Sequence, residues 1–188
     1  MEDVDEQGAI DSKYIILDKK GHGYSSNVYL VKDTTNQKLY AAKVLKKPSE
    51  LFKNEINILN ALKEMKSPYL VNMIGAGEGI IKRKNKENKR QYLILDYASK
   101  GEIMNYIFFP KVGLGEKLSK LIFYKILEGL QSVHNAGICH RDIKVQNILL
   151  DENFTPKICD FGFATINKER LTEKKRISKL FCSRNFRR

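Results

Sequence analysis

The chain has 188 residues, 42% hydrophobic and 30% charged, enough to bury a core. No stretch approaches the roughly 20 apolar residues of a membrane span, and the scattered Cys139, Cys159 and Cys182 form no CxxC pair, which excludes a helical span and disfavours a disulfide framework or a zinc site. The expected setting is soluble and intracellular, cytoplasmic or nuclear. The net charge of +12 is local: residues 82–90 hold six Lys/Arg against one Glu, residues 167–188 hold nine against two, and the remainder is neutral. A charge confined to one loop and one tail, without interleaved aromatic residues, disfavours nucleic acid as a partner.

In chain order, residues 1–13 form an acidic leader without the basic-then-apolar layout of a signal peptide. Tyr14–Leu17 and Asn27–Val31 carry the β-branched and aromatic residues of strands and flank a glycine-containing turn; a third strand covers Lys38–Leu45. Pro48-Ser49 opens a helix, with the Ser49 hydroxyl placed to cap its first N–H groups and Phe52, Ile56, Leu59 and Leu62 on one stripe. Tyr69–Met73 and Gln91–Leu95 predict two more strands, with the basic segment between them as a solvated hairpin loop. An amphipathic helix from about Lys117 to Asn135 ends at Gly137, a left-handed cap, and a hairpin of Ile148–Leu150 with Pro156–Cys159 follows. Sheet with one helix, then helix with loops, predicts an α+β fold of two lobes. Residues 167–188 read as a disordered basic tail.

Chemistry concentrates at four places. Gly21-His-Gly23-Tyr-Ser-Ser26-Asn-Val28 lets backbone approach a phosphate closely, although alone it more often marks an ordinary glycine-rich hairpin. Lys43 lies in an apolar strand and requires a partner or an edge; Glu55, beside the apolar stripe of the next helix, is placed to reach it. His140-Arg-Asp142-Ile-Lys144-Val-Gln-Asn147 is followed thirteen residues later by Asp160-Phe-Gly162. Phosphoryl transfer asks for a carboxylate at the attacking hydroxyl, a cation on the moving group and oxygen ligands for magnesium. Asp142, Lys144, Asn147 and Asp160 supply these from two short loops, and hard oxygen donors suit Mg²⁺. Cys159 reads as a small buried hydrophobe rather than a redox switch, His22 as a loop residue and His134 as a helix-end residue.

From Tyr14 to Ala164 these motifs resemble, in order, the eukaryotic protein-kinase superfamily, and Lys144 two positions after Asp142 resembles its Ser/Thr type. The resemblance implies a two-lobed fold, with a kinase N-lobe at residues 14–97 and part of a C-lobe at 98–166. It implies that ATP and Mg²⁺ are cofactors and a protein hydroxyl the acceptor. Gly21 and Gly23 would cover the ATP phosphates, Lys43 would bind the α- and β-phosphates while held by Glu55, and Val28, Ala41 and Leu149 would enclose adenine. Backbone groups of Asp96 and Ala98 would bond the adenine edge beside a Leu95 gatekeeper, and Glu102 would lie near the ribose or a basic substrate. Asp142 would accept the substrate proton, Lys144 would neutralise the γ-phosphoryl group, and Asn147 with Asp160 would hold magnesium. Leu59, Met73, His140 and Phe161 match the regulatory spine.

Two departures stand out. Ser26 replaces the third glycine of the phosphate loop, a common exchange. After Gly162 there is no Ala-Pro-Glu motif and no set of lower-lobe helices, so the expectation is a C-terminally truncated kinase domain whose long helix exposes an apolar face. The alternative function on this reading is a non-catalytic ATP-binding or interaction module derived from a kinase.

Overall fold

The computed structural model of the chain describes residues 8–83, 86–107 and 113–166. Its first half is a sheet of β1 (Ala9–Ile10), β2 (Tyr14–His22), β3 (Ser26–Asp33), β4 (Leu39–Leu45), β5 (Met73–Arg83) and β6 (Lys86–Asp96). These close into an antiparallel barrel in the order β1-β2-β3-β4-β6-β5. Alternation divides the residues of β4 between two environments, since successive side chains point to opposite faces. Tyr40, Ala42 and Val44 join Tyr29, Val31, Ile81 and Ile94 inside the barrel, while Ala41 and Lys43 face outward, level with Leu95 and Leu93 of β6.

That outer face meets α1 (Leu51–Lys63), whose Phe52, Ile58, Leu59 and Leu62 enter a second core with Leu93, Val133, Ile148, Ile158 and Phe161. The Ser49 hydroxyl accepts the Leu51 N–H at 3.2 Å, the expected capping contact. Ile56 is only partly buried, and the stripe is completed instead by Ile58 and by Glu55, 6% exposed.

Two expectations from the sequence are corrected here. The strand expected over Tyr69–Met73 begins only at Met73: Leu70 makes a parallel bridge to Ile158, and the Asn72 amide and carbonyl bond Asp96. These residues tie the halves together instead of extending the sheet. The basic segment is not a solvated loop but the outer half of a long hairpin, paired from Met73↔Leu95 to Arg83↔Lys86. Its charges are accommodated by cross-strand pairing, Lys82–Glu87 at 2.8 Å and Lys89–Glu78 at 3.8 Å, which hydrophobicity alone does not reveal.

The second half holds β7 (Gly101–Glu102), α2 (Met104–Ile107), α3 (Gly115–Asn135), β8 (Ile138–Cys139), a single 3₁₀ turn (Val145–Asn147), β9 (Ile148–Leu150), β10 (Pro156–Ile158) and β11 (Thr165–Ile166). β10, β9 and β7 form one small antiparallel sheet, and β11 pairs with β8. Gly137 has φ +69° and donates to the His134 carbonyl, closing α3 as expected. α3 buries Ile122, Gly129 and Val133 and exposes Leu121, Phe123, Tyr124 and Leu127 on the opposite side. The disordered tail expected at 167–188 lies outside the described residues, as does most of the leader. Among the described residues no helix is long and apolar enough to cross a membrane.

Gly129 packs α3 tightly against Tyr69 and against Ile158 of β10. A Cβ there would stand 2.9 Å from Tyr69 Cβ and 3.2 Å from the Tyr69 carbonyl, atoms that do not swing away. Alanine gains about 1 kcal/mol of helix propensity, but overpacking costs about 1–3 kcal/mol. Gly129→Ala is therefore expected to lower the unfolding free energy in a urea titration, where the same exchange at an exposed helical glycine would raise it.

Candidate active site

Lys43 is set by register: it lies on the outer face of β4 between Val28 of β3 and Leu93 of β6. Its Nζ donates to Glu55 Oε1 at 2.7 Å and to Asp160 Oδ1 at 3.0 Å. Strand, helix and the loop after β10 thus meet at one ammonium group. Burial pulls the Lys43 pKa down, but the two carboxylates overcome it and hold the group above its ordinary value. For Asp160 burial pushes upward, yet the Lys43 charge and hydrogen bond, with the Gly162 N–H, hold it below the usual carboxylate range. Asp160 itself takes φ +60°, the left-handed region, which turns its side chain toward Lys43.

Asp142 is held by a second set of donors. Lys144 Nζ donates to its Oδ2 at 2.7 Å, and Asn147 Nδ2 donates to the same oxygen at 3.0 Å and to the Asp142 carbonyl at 2.8 Å. The Lys144 hydrogen bond is the main cause of the lowered Asp142 pKa, and Asp142 raises that of Lys144 in turn. With its amide nitrogen committed, Asn147 has its side-chain oxygen left to serve as a ligand. Asp142 and Asp160 are not bonded directly; His140 and Cys159 connect their loops. The Asp142 N–H donates to His140 Nδ1 at 3.2 Å, so the ring proton is on Nε2, which donates to the Cys159 carbonyl at 2.9 Å. Burial lowers the His140 pKa, favouring this neutral form. It also pushes the Cys159 thiol up to about 12, which fits the reading of an inert small residue.

Gly21 pairs with Val28 across the β2–β3 turn, and the Gly23 N–H closes that turn on the Ser26 carbonyl at 2.9 Å. Ala41 is one pleat from Lys43 on its face, and Leu149 of β9 pairs with Glu102 of β7, whose side chain is exposed and joins neither charge cluster. The Asp96 carboxylate bonds Asn72, leaving its backbone at the crossing between halves, where the Ala98 carbonyl accepts the Gly101 N–H. Leu59, Met73, His140 and Phe161 are all buried, and the His140 and Phe161 rings stand 4.8 Å apart.

Three supporting residues were not expected. Arg141, at φ +68°, donates from Nε to the Phe163 carbonyl at 2.6 Å; Asn54 donates to the Ala164 carbonyl at 3.1 Å; and Asn72 holds Asp96. Each bonds a distant main-chain or side-chain oxygen, so no local spacing announces it; an unusual φ at Arg141 is likewise invisible in sequence.

Comparison with known proteins matches residues 14–187 to the family model described as protein kinase domain. The chain is 41% identical over 96 residues to the serine/threonine-protein kinase grp of Drosophila melanogaster, covering 49% of this chain and 19% of that protein. It is 33% identical over 168 residues to the ovarian-specific serine/threonine-protein kinase Lok of the same organism, covering 82% and 33%. It is 34% identical over 152 residues to the serine/threonine-protein kinase chk1 of Schizosaccharomyces pombe, covering 78% and 29%. The chain spans at most about a third of the length of these curated relatives.

The His140 geometry predicts a pH response. Its folded pKa lies below the unfolded value of about 6.5, so the unfolded state binds the extra proton first and stability present above pH 6.5 is lost as pH falls through the folded value. Unfolding free energies at pH 7.5 and 5.5 are expected to fall by up to about 1.4 kcal/mol per pH unit, and His140→Gln is expected to flatten that slope. An unchanged slope in the variant would assign the proton elsewhere.

Proposed function

The chain belongs to the protein kinase domain family, of Ser/Thr type, and on that premise we propose that it transfers the γ-phosphoryl group of ATP to a serine or threonine hydroxyl of a protein. The observation that carries the proposal is the Lys43 ammonium shared by Glu55 and Asp160 opposite the Lys144–Asp142–Asn147 cluster. Together these groups would supply a fixed cation, a carboxylate for the acceptor and two oxygen ligands. Residues 14–97 would act as the nucleotide-holding lobe and 98–166 as the catalytic part of the other.

Glu55, which holds the Lys43 ammonium at 2.7 Å, would orient it toward the α- and β-phosphates, and Asp160, now bonded to Lys43, would serve as an ion ligand. Asp160 and the Asn147 amide oxygen would hold Mg²⁺, a hard cation that suits oxygen donors. Bound there, the ion would neutralise charge on the phosphates. The open turn at Gly21 and Gly23 would bring backbone N–H groups to the phosphates, and Val28, Ala41 and Leu149 would cover the adenine with backbone groups of Asp96 and Ala98 at its edge. Glu102, exposed on β7, would face the ribose or a basic substrate side chain.

Asp142 would accept the hydroxyl proton as the oxygen attacks, and Lys144 already lies on its carboxylate, ready to follow the negative charge onto the moving group. Positioning and charge neutralisation are all this chemistry asks of the protein.

Incubating the chain with labelled ATP, Mg²⁺ and a generic basic protein is expected to label serine or threonine. Asp142→Asn is expected to slow the transfer by about 10²–10⁴-fold while nucleotide binding persists. Binding without transfer by the unaltered chain would favour the non-catalytic nucleotide-binding module instead.

A further inference from the structure

The basic outer half of the β5–β6 hairpin has no part in the proposed chemistry, yet the sheet gathers cations there on one face. Asn27 of β3 pairs with Val44 of β4, and Val44 with Tyr92 of β6, so these positions share the inner pleat of the barrel. Where β6 runs on past β4, the same pleat carries Arg90, Asn88 and Lys86, and Lys46 follows Val44 by two residues. These four side chains line a cavity of about 450 Å³ floored by Val44 and Ile81, a volume typical of ligand pockets.

Three of the four are cations, and among the described residues no carboxylate pairs with them. Glu87 and Glu78 lie on the outer pleat and pair with Lys82 and Lys89; the Asp11 carboxylate accepts from the Ile80 N–H and the Tyr92 hydroxyl. Lys46 Nζ donates to the Gly23 carbonyl at 2.7 Å and lies 3.3 Å from His22 Nε2. Arg90 bonds the Lys89 carbonyl at 3.2 Å and Asn88 Oδ1 at 3.4 Å. Antiparallel continuation from the Val44↔Tyr92 pair sets Lys46 level with Arg90, and like charges facing each other across strands destabilise a sheet. An anion in the cavity would relieve that repulsion.

Spacing identifies the kind of anion. Lys86 and Arg90 are four residues apart on one strand, about 13 Å, and two acidic residues four apart in an extended peptide have the same separation. Ile81 pairs with Asn88, midway between the two cations, so an apolar side chain halfway between the acids meets the floor. Nucleic acid fits less well, because the aromatic ring lining the cavity, Tyr29, is 6% exposed and offers bases little face to stack on. We propose that this mouth binds an extended acidic segment of a partner protein. One carboxylate meets Lys86, a second meets Arg90 and Lys46, and the apolar side chain between them rests on Ile81 and Val44. The proposal does not rest on the phosphotransfer reading.

Fluorescence anisotropy of a labelled Ser-Glu-Ser-Leu-Ser-Glu-Ser peptide, titrated with the full chain, tests this. The peptide is expected to bind, and one of the same composition with adjacent glutamates and a terminal leucine to bind about tenfold more weakly. Lys86→Ala with Arg90→Ala is expected to weaken the ordered peptide by about tenfold or more. Lys53→Ala with Lys117→Ala, exposed on α1 and α3, is expected to leave it unchanged. Binding is also expected to fall severalfold in about 1 M salt, where the screening length drops to about 3 Å. The two peptides compare the same geometry on an unaltered chain, so the test stands even if a rim variant folds poorly. Absence of binding up to about 1 mM, equal binding of the two peptides, or indifference to the rim in a folded variant would overturn the proposal. So would tighter, rim-dependent binding of an RNA oligonucleotide or of anionic vesicles, since the mouth would then serve another class of polyanion.

Discussion

A lysine ammonium inside an apolar sheet face is costly unless opposite charge meets it, and much of this fold can be understood as the means of meeting Lys43. β4 delivers it between Val28 and Leu93, α1 brings Glu55 at 6% exposure, and Asp160 arrives from the other half on a residue in the left-handed region. Removing either carboxylate leaves the other to hold a mostly buried cation. The interaction therefore couples the position of α1 to that of the Asp160 loop, and Asn54, which bonds the Ala164 carbonyl from the same helix, reinforces the coupling.

A second constraint acts on the Asp142 loop. Neutral His140 can accept from the Asp142 N–H and donate to the Cys159 carbonyl at once, whereas the protonated ring has no acceptor to offer. One imidazole thereby aligns the two acidic loops without contacting either carboxylate. Arg141 adds a hold on the segment beyond Gly162 through the Phe163 carbonyl. Leu59, Met73 and Phe161 belong to one buried core, and the buried His140 ring stands 4.8 Å from that of Phe161, so α1, the start of β5 and the two loops all contribute to that packing.

Much of this was legible in the sequence because it depends on local pattern. The alternation in Lys38–Leu45, the stripe of the first helix, the Gly137 cap and the spacing from Asp142 to Asp160 each specify geometry within a few residues. What was not legible depends on partners far along the chain. Barrel closure by Ala9–Ile10 rests on two residues and on the Asp11 carboxylate, which accepts from the Ile80 N–H and the Tyr92 hydroxyl. The extended hairpin could not be read from Lys, Arg and Asn, which have no strong strand preference; cross-strand pairing formed it. Glu55 stands out in the sequence only because Lys43 needs a counter-charge, and no local pattern specifies the left-handed turn of Asp160 toward Lys43.

In the proposed reaction Lys43 would serve nucleotide phosphate and Asp160 the metal, in place of the bond that now joins them. Calorimetric titration with ATP, with and without Mg²⁺, on the unaltered chain, Lys43→Met and Asp160→Asn tests it directly. The account predicts that Lys43→Met weakens binding under both conditions, whereas Asp160→Asn removes the gain that Mg²⁺ confers and leaves metal-free binding equal or stronger. Equal Mg²⁺ enhancement in all three chains would contradict it.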